Sequence, residues 1–308
     1  MKLGHDKANN IYKSRFGAVE NAKPQLCPVH GMHPMLSSLK YLTARSSKSR
    51  ATGINIVIDT GLSINQAENL LSAAELYVDF IKFGFGTALF TGGFERKLTL
   101  YRASGIPVFF GGTLFEAYAV RNQFDDYLRL LDRNQITYAE VSDGSLRMTS
   151  EKKCRYIERL STHVQVFSEV GSKSDTSSLT VTEWVNAIKS ELEAGASRVI
   201  AEARESGTAG VCKPNGDVRA DLIFEILKHV SNDRLIWEAP TKKQQAWMVN
   251  TLGANVNLGN IQPDDVISLE ALRRGLRGDT FLTFLPEATS DGYFSTEISG
   301  TFCYSFEI

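Results

Sequence analysis

Short apolar segments alternate with longer amphipathic segments along the chain from about residue 53 onward. The apolar segments span three to five residues and are rich in β-branched and aromatic side chains, which is typical of strands. The longer segments repeat their apolar positions with the period of a helix. Eight strands are predicted at 54–58, 78–82, 107–110, 137–141, 164–167, 198–201, 235–237 and 255–258, with helices among the intervening segments at 65–76, 115–134, 181–194, 220–230, 242–252 and 263–277.

Strict alternation of strands and helices predicts an α/β fold with a parallel sheet and right-handed crossovers. Eight strand-helix units are the number that closes a (β/α)8 TIM barrel, and 308 residues suffice for one such domain. A doubly wound open sheet is the alternative, but it normally carries a glycine-rich phosphate turn after its first strand, and residues 59–62 do not fit that turn. We therefore expect one barrel domain at 53–284, an N-terminal extension and linker at 1–52 and a C-terminal tail at 285–308.

Composition narrows the classes of partner. Lys and Arg number 34 against 35 Asp and Glu, so the near-neutral charge favours neither a nucleic-acid nor a membrane partner. The four cysteines are widely spaced, and the N-terminus lacks the apolar stretch of a secretory signal, which together predict a reducing, cytoplasmic location. Aromatic residues in the tail have no place in a self-contained barrel, and we expect them to cover apolar surface in a homo-oligomer.

Carboxylates stand at the ends of four successive predicted strands, as Glu140, Glu169, Glu202 and Glu238. The active site of a (β/α)8 barrel lies at these strand ends. One such carboxylate commonly forms a salt bridge or caps a helix, but four together raise one another's pKa unless a cation lies among them. Oxygen ligands are those that Mg²⁺ prefers, so we predict that these four glutamates hold Mg²⁺, although the sequence does not tell which of them bind it directly.

Side-chain alternation indicates which strand residues face the barrel mouth. Glu169 lies on the polar face of its strand, and Asp59 shares a face with Asn55. Because the opposite, apolar faces should pack against the helices, we expect both carboxylates to point into the barrel.

Glycine-rich turns follow several strands and expose backbone N–H groups that can bind phosphate or carboxylate oxygens. The turn after the last strand lies where barrels often bind phosphate, and residues 205–210 are a candidate lid. Cationic side chains at Lys82, Lys173 and Arg204 can offset part of the glutamate charge. The residues predicted to bind substrate are Arg204 and the turn residues Gly84, Gly86, Gly112, Thr113, Ser206, Gly207, Asn257, Gly259 and Asn260.

Nine segments, most of them at strand ends, form a recognisable series: 57–62, 82–87, 111–116, 140–144, 168–173, 202–207, 238–240, 255–261 and 272–281. In this order they resemble the phosphosulfolactate synthase family, which makes (2R)-phospho-3-sulfolactate from phosphoenolpyruvate and sulfite. The resemblance runs from about residue 36 to 284 and implies a Mg²⁺-dependent (β/α)8 enzyme, a carbon-sulfur lyase acting in the synthetic direction. Its product would lead to coenzyme M or to sulfolactate.

The same resemblance implies the catalytic roles. Sulfite adds to C3 of phosphoenolpyruvate and C2 receives a proton, for which Lys173 is the implied general acid. Lys82 is the implied partner of an anionic substrate group. Two alternatives remain open: a non-catalytic binding or interaction protein, like the heat-stress-associated relatives in plants, or addition of another nucleophile to an enolpyruvyl substrate.

Overall fold

The computed structural model describes residues 38–171 and 179–286 of the chain. The chain divides into two compact units, Met1–Lys40 and Tyr41–Ile308. Every strand and α-helix that the structure describes belongs to the second unit.

Eight parallel strands form a nearly closed barrel, as predicted. Their hydrogen-bonded order is β3-β2-β1-β8-β7-β6-β5-β4, so that β1 pairs with β8, and β3 and β4 lie side by side at the two ends of this order. The strands are β1 (Asn55–Asp59), β2 (Phe80–Phe83), β3 (Val108–Phe110), β4 (Tyr138–Val141), β5 (Gln165–Val170), β6 (Arg198–Ala201), β7 (Leu235–Glu238) and β8 (Leu258–Ile261).

Helices follow each strand and cover the barrel. Three of them begin with a capping box, in which Ser or Thr at the N-cap and Gln or Glu three residues later exchange hydrogen bonds with the backbone. No helix among the described residues is long and apolar enough to cross a membrane. The helices are α1 (Ile64–Ala74), α2 (Phe94–Ala103), α3 (Gly112–Val120), α4 (Phe124–Arg133), α5 (Ser150–Ser161), α6 (Val181–Glu193), α7 (Ala220–Leu227), α8 (Lys242–Leu252) and α9 (Val266–Arg273).

Several elements differ from their predicted bounds, and two of these differences have a clear local feature. The helix predicted at 115–134 is two helices, α3 and α4, because Asn122 adopts a left-handed conformation (φ 55°) that interrupts the helical backbone. Strand β8 begins at Leu258, three residues later than predicted. The preceding Asn257 instead uses its side chain to bind the backbone of neighbouring strands, accepting from the N–H of Ile54 at 3.1 Å and donating to the carbonyl of Leu235 at 3.0 Å.

Aromatic side chains fill the barrel interior below its mouth. Phe80 packs edge-on against Tyr138 and Phe167, with ring centroids 4.9 and 5.3 Å apart. Each of these rings lies two residues before a charged residue of the same strand, namely Lys82, Glu140 or Glu169. Because side chains alternate along a strand, the ring and the charge share one face. The barrel therefore has an apolar floor beneath a polar mouth.

The predicted direction of Asp59 is wrong. Its carboxylate accepts from Lys97 Nζ at 2.7 Å and from the Tyr101 hydroxyl at 3.2 Å, and both of these residues lie on α2. Ile58 lines the cavity at the barrel mouth instead. A buried lysine on the helix compensates the charge of Asp59, so the polar face of β1 packs against the helix layer.

A buried arginine side chain anchors the segment just before β1, where the sequence predicted a linker. The Arg45 side chain is 1% exposed and pairs with Glu270 of α9 at 3.0 Å. It also donates to the Asn255 side chain at 2.6 Å and to the backbone carbonyl of Gly53 at 3.1 Å. Since Asn255 precedes β8 and Gly53 precedes β1, Arg45 joins the start of the barrel to its end.

Replacement of Arg45 by alanine should lower the free energy of unfolding by about 2–3 kcal/mol. The reason is that the acceptors on Asn255 and Gly53 lose their donor, and Glu270 loses one of its two arginine partners and retains its ion pair with Arg274. Denaturant unfolding monitored by circular dichroism measures the change. Arg129→Ala is the matched control, since Arg129 forms an exposed pair with Asp126 and should contribute less than about 1 kcal/mol. Equal effects of the two substitutions would contradict a structural role for the buried arginine.

Candidate active site

A cavity of about 400 Å³ opens at the carboxyl ends of the barrel strands. Its walls come from the ends of β1, β2, β4, β5, β7 and β8 and from the segments that follow β2, β3, β4 and β6. The sequence-predicted site residues that line it are Lys82, Gly112, Thr113, Glu140, Glu169, Glu202, Arg204, Ser206, Glu238 and Asn260.

Lys82 lies at the centre of the acidic residues. Its Nζ is 2.9 Å from Glu140 Oε2, 3.5 Å from Glu238 Oε1 and 3.6 Å from Glu169 Oε2. Burial alone would lower the pKa of Lys82, but the three carboxylates outweigh burial and raise this pKa above its usual value. Lys82 is therefore a fixed cation at neutral pH.

Backbone N–H groups orient two of the glutamates. Glu140 Oε1 accepts from the N–H of Gly112, the first residue of α3, at 2.7 Å, and Glu238 Oε2 accepts from the N–H of Ala203 at 2.9 Å. Burial raises the pKa of Glu140 and raises that of Glu238 to about 7, and the neighbouring Glu169 adds to both shifts, although Lys82 opposes them. Burial is thus the main reason that these carboxylates bind a proton more strongly than usual, and the crowding of carboxylates around one lysine adds to it.

Three of the four glutamates form a group that could hold a cation. Glu169, Glu202 and Glu238 each offer a carboxylate oxygen, and these oxygens lie within 4.8 Å of one another. All three residues are buried, and hard oxygen donors of this type suit Mg²⁺. Glu140 is not part of this group, and its oxygens contact the N–H of Gly112 and Nζ of Lys82. The donor set therefore fits a divalent cation at three of the predicted positions.

Glycines 111 and 112 allow the charged side chains to approach the backbone. A Cβ on Gly111 would lie 3.1 Å from Lys82 Cε, and a Cβ on Gly112 would lie 2.1 Å from Ser142 Oγ and 3.0 Å from Glu140 Oε1. The sequence predicted that this turn binds substrate anions. The structure shows that the Gly112 N–H already donates to a carboxylate of the protein.

The loop after β6 folds back over Glu202. Arg204 adopts a left-handed conformation (φ 60°), and its N–H donates to Glu202 Oε1 at 2.7 Å. The backbone of Gly210 lies so close to that of Glu202 that a Cβ on Gly210 would be 1.9 Å from the carbonyl oxygen of Glu202. Gln244 of α8 donates to the carbonyl of Gly207 at 2.7 Å. Contacts on both sides thus anchor the segment that the sequence predicted to be a lid.

The remaining predicted residues are not among those that line the cavity in the described structure. Asn257 lies at the opposite end of the barrel, where it contacts the residues that begin β7 and precede β1, so its predicted place at the mouth is wrong. Lys173 lies outside the described residues. The described lining of the cavity does not include the predicted glycines Gly84, Gly86, Gly207 and Gly259.

Sequence reasoning missed several residues of the cavity wall. Phe85 lies at the mouth with a left-handed backbone (φ 53°) and a half-exposed ring. Ser145 lines the opposite wall, and its N–H donates to Glu116 Oε2 at 2.7 Å. The sequence feature that could have identified Glu116 is its position as a carboxylate on the apolar face of a helix. Ile58 was missed as well, whereas Gly111 and Glu205 lie in segments that the sequence singled out as an anion-binding turn and a candidate lid.

Asn260 is the predicted substrate-binding residue whose geometry fits that role most directly. It lines the cavity in a left-handed conformation (φ 54°) and is 6% exposed. Its Oδ1 atom is buried and has no hydrogen-bond partner among the described residues. A buried amide oxygen without a partner is energetically unfavourable, so a ligand in the cavity would gain from contacting it.

Comparison with known proteins identifies a family. Residues 43–279 match the family model of (2R)-phospho-3-sulfolactate synthase. A phosphosulfolactate synthase of Bacillus subtilis is 42% identical over 243 residues, which cover 78% of this chain and 96% of the relative. One from Methanothermobacter thermautotrophicus is 37% identical over 252 residues, with 80% of this chain and 98% of the relative covered.

Similarity to the plant protein is confined to a part of the chain. Protein HEAT-STRESS-ASSOCIATED 32 of Arabidopsis thaliana is 32% identical over 82 residues, which cover 27% of this chain and 27% of the plant protein. The synthases match a far longer part of the chain, with higher identity.

A methyl group at Gly112 should disrupt the cavity wall. Gly112→Ala should lower the free energy of unfolding by about 1–3 kcal/mol, because the new Cβ overlaps Ser142 and crowds Glu140. Denaturant unfolding measures this change. Gly92→Ala is the control, since a Cβ at Gly92 would meet no atom within 4 Å, and it should change stability by about 0.5 kcal/mol or less. A Gly112→Ala protein as stable as the wild type would show that this close packing is not required.

Proposed function

The chain belongs to the (2R)-phospho-3-sulfolactate synthase family, and we propose that it catalyses the Mg²⁺-dependent addition of sulfite to phosphoenolpyruvate. The product would be (2R)-2-O-phospho-3-sulfolactate, and the activity would be that of a carbon-sulfur lyase in the synthetic direction. The observation that carries the proposal is the buried group of Glu169, Glu202 and Glu238 beside Lys82, in one cavity within the matched residues.

The proposed reaction forms one carbon-sulfur bond and one carbon-hydrogen bond. The sulfur lone pair of sulfite attacks C3 of phosphoenolpyruvate, and the electron pair of the C2–C3 double bond moves toward the carboxylate. A proton is then added at C2, while the phosphate ester stays intact. Negative charge develops on the substrate carboxylate, so the site needs positive charge there.

Residues of the cavity supply or hold that charge. Glu169, Glu202 and Glu238 would hold Mg²⁺, which supplies positive charge next to the substrate carboxylate when it is bound. Lys82 is a fixed cation for an anionic substrate group, because its raised pKa makes it a poor proton donor. Arg204 lines the same cavity and can bind phosphate or carboxylate through charge-assisted hydrogen bonds.

Proton donation at C2 is assigned to Lys173. This role rests on the family resemblance, since the residue lies outside the described part of the structure. The raised pKa of Lys82 supports the assignment indirectly, because it argues against Lys82 as the alternative acid. We propose accordingly that Lys173 and Lys82 have separate roles, in proton transfer and in charge stabilisation.

A non-catalytic binding role would leave the charge cluster unexplained. Buried like charges destabilise a fold, and strongly shifted pKa values typically cluster at functional sites. Addition of a nucleophile other than sulfite to an enolpyruvyl substrate would use the same charges, and substrate assays distinguish the two. Homo-oligomer formation, a cytoplasmic location, the absence of nucleic-acid and membrane partners and a role in coenzyme M or sulfolactate formation stay predictions.

Removal of divalent cations should abolish the proposed reaction. Protein treated with a chelator should form no phosphosulfolactate from phosphoenolpyruvate and sulfite, and Mg²⁺ should restore product, which phosphorus NMR can follow. Glu202→Gln should weaken Mg²⁺ binding at least about 10-fold in calorimetry, since it loses an anionic ligand. Glu183→Gln, at an exposed helix start, is the control and should bind Mg²⁺ like the wild type. Full turnover after rigorous chelation would contradict the metal requirement.

Two substitutions should separate proton transfer from substrate binding. Lys173→Met should lower kcat by about 10²–10⁴-fold with little change in phosphoenolpyruvate affinity, as expected for loss of a general acid. Arg204→Met should mainly raise KM, because it removes a binding contact. Steady-state kinetics with both substrates measures the two effects, with thermal midpoints as the check on folding. A folded Lys173→Met protein with wild-type kcat would rule out the assigned acid.

A further inference from the structure

Lys153 is a buried lysine that lies behind the wall of the cavity, on α5. Its side chain is 3% exposed. Its Nζ is 2.9 Å from Asp143 Oδ1, 2.8 Å from Glu191 Oε1 and 2.6 Å from the backbone carbonyl oxygen of Glu169. Three acceptors around one ammonium group match its three N–H donors, so the side chain is held in a single position.

The three partners belong to separate elements. Asp143 lies in the loop after β4, two residues before Ser145 of the cavity wall. Glu169 is in β5 and offers its carboxylate to the cavity, while its carbonyl accepts from Lys153. Glu191 is on α6, in the outer helix layer. One ammonium group therefore joins two neighbouring walls of the cavity to the helices behind them.

The contact with the strand carbonyl is not needed to neutralise the lysine. Burial would lower the pKa of Lys153, but Glu191 and Asp143 outweigh burial and raise it, so these two carboxylates suffice to keep the group charged. The additional hydrogen bond fixes the backbone of the very residue whose side chain enters the metal-binding group. A shift of this carbonyl would move the Glu169 carboxylate relative to Glu202 and Glu238.

We propose that Lys153 is a positioning residue of the active site, which fixes the end of β5 and the loop after β4 so that Glu169 and Ser145 face one cavity. The proposal deepens the proposed function, since it treats Glu169 as a ligand of Mg²⁺. Lys153 does not line the cavity, and it acts through the residues that do. Precise placement of ligating side chains by residues behind them is a general requirement of metal sites.

The test uses a variant that removes the lysine without leaving a buried charge alone. Lys153→Met combined with Glu191→Gln deletes the buried ion pair together, and Asp143 is exposed enough, at 31%, to be hydrated. The matched control is Lys97→Met combined with Asp59→Asn. This control deletes another fully buried lysine-carboxylate pair at a strand end, and it lies on the helix side of β1, away from the cavity.

Three measurements on the full-length variants test the positioning role of Lys153. We expect the Lys153 variant to bind Mg²⁺ at least 10-fold more weakly in calorimetry and to lose at least 10-fold in kcat with phosphoenolpyruvate and sulfite. We expect the control variant to stay within about threefold of the wild type in Mg²⁺ affinity and in kcat. The thermal midpoint should fall in the Lys153 variant and in the control. In hydrogen-deuterium exchange, peptides covering 165–171 should exchange at least 10-fold faster in the Lys153 variant than in the wild type. In the control variant their exchange rate should be unchanged.

The outcomes separate this proposal from the proposed function. A Lys153 variant with wild-type exchange at the end of β5 would overturn the positioning role, and so would losses of Mg²⁺ affinity equal to those of the control. A wild-type protein that neither binds Mg²⁺ nor forms product would overturn the proposed function instead. The exchange experiment needs no metal and no substrate, and it would still decide whether Lys153 fixes β5.

Discussion

Lys82 brings three carboxylates to within 3.6 Å of one ammonium group at a buried site, and the architecture of the barrel mouth depends on that contact. Coulomb attraction in such a place is strong, but so is repulsion between the carboxylates, because little water screens either. Lys82 thus allows the three glutamates to lie close together, but its single positive charge does not neutralise all three carboxylates. An apolar floor of aromatic rings, including Phe80 and Phe167, excludes water from below and keeps these interactions strong.

The backbone does much of the positioning at the mouth. Glu140 accepts from the first N–H of a helix, and Glu238 accepts from the N–H of Ala203. Such contacts favour the ionised carboxylates and also fix their direction, so that the site is organised before any ligand enters. Glycines at 112 and 210 are required for the same reason, since a side chain at either would collide with the groups being positioned.

The fold could be predicted from the sequence because a barrel strand and its helix each leave a periodic pattern, and because all eight strand ends fall in order. Ten of the residues expected at the mouth lie there. Asp59 was misplaced because alternation gives two faces without saying which one is inward, and a buried Lys97 on a helix reversed the preference. Asn257 was misplaced because the strand begins three residues late. Lys153 left no pattern at all, since its partners meet only after three elements have packed.

Two other buried charge clusters of the barrel provide a comparison for the mouth. Asp59 has its own lysine in Lys97, and Lys153 has two carboxylates, so both clusters carry their counter-charges within the protein. At the mouth, the described residues place five glutamates in the cavity with two cationic side chains, Lys82 and Arg204. Burial is the main cause of the raised pKa of Glu238, about 7, and the neighbouring Glu169 and Glu140 add to it. We propose that a ligand compensates the remaining negative charge of the mouth, and a divalent cation bound there would supply positive charge next to an anionic substrate.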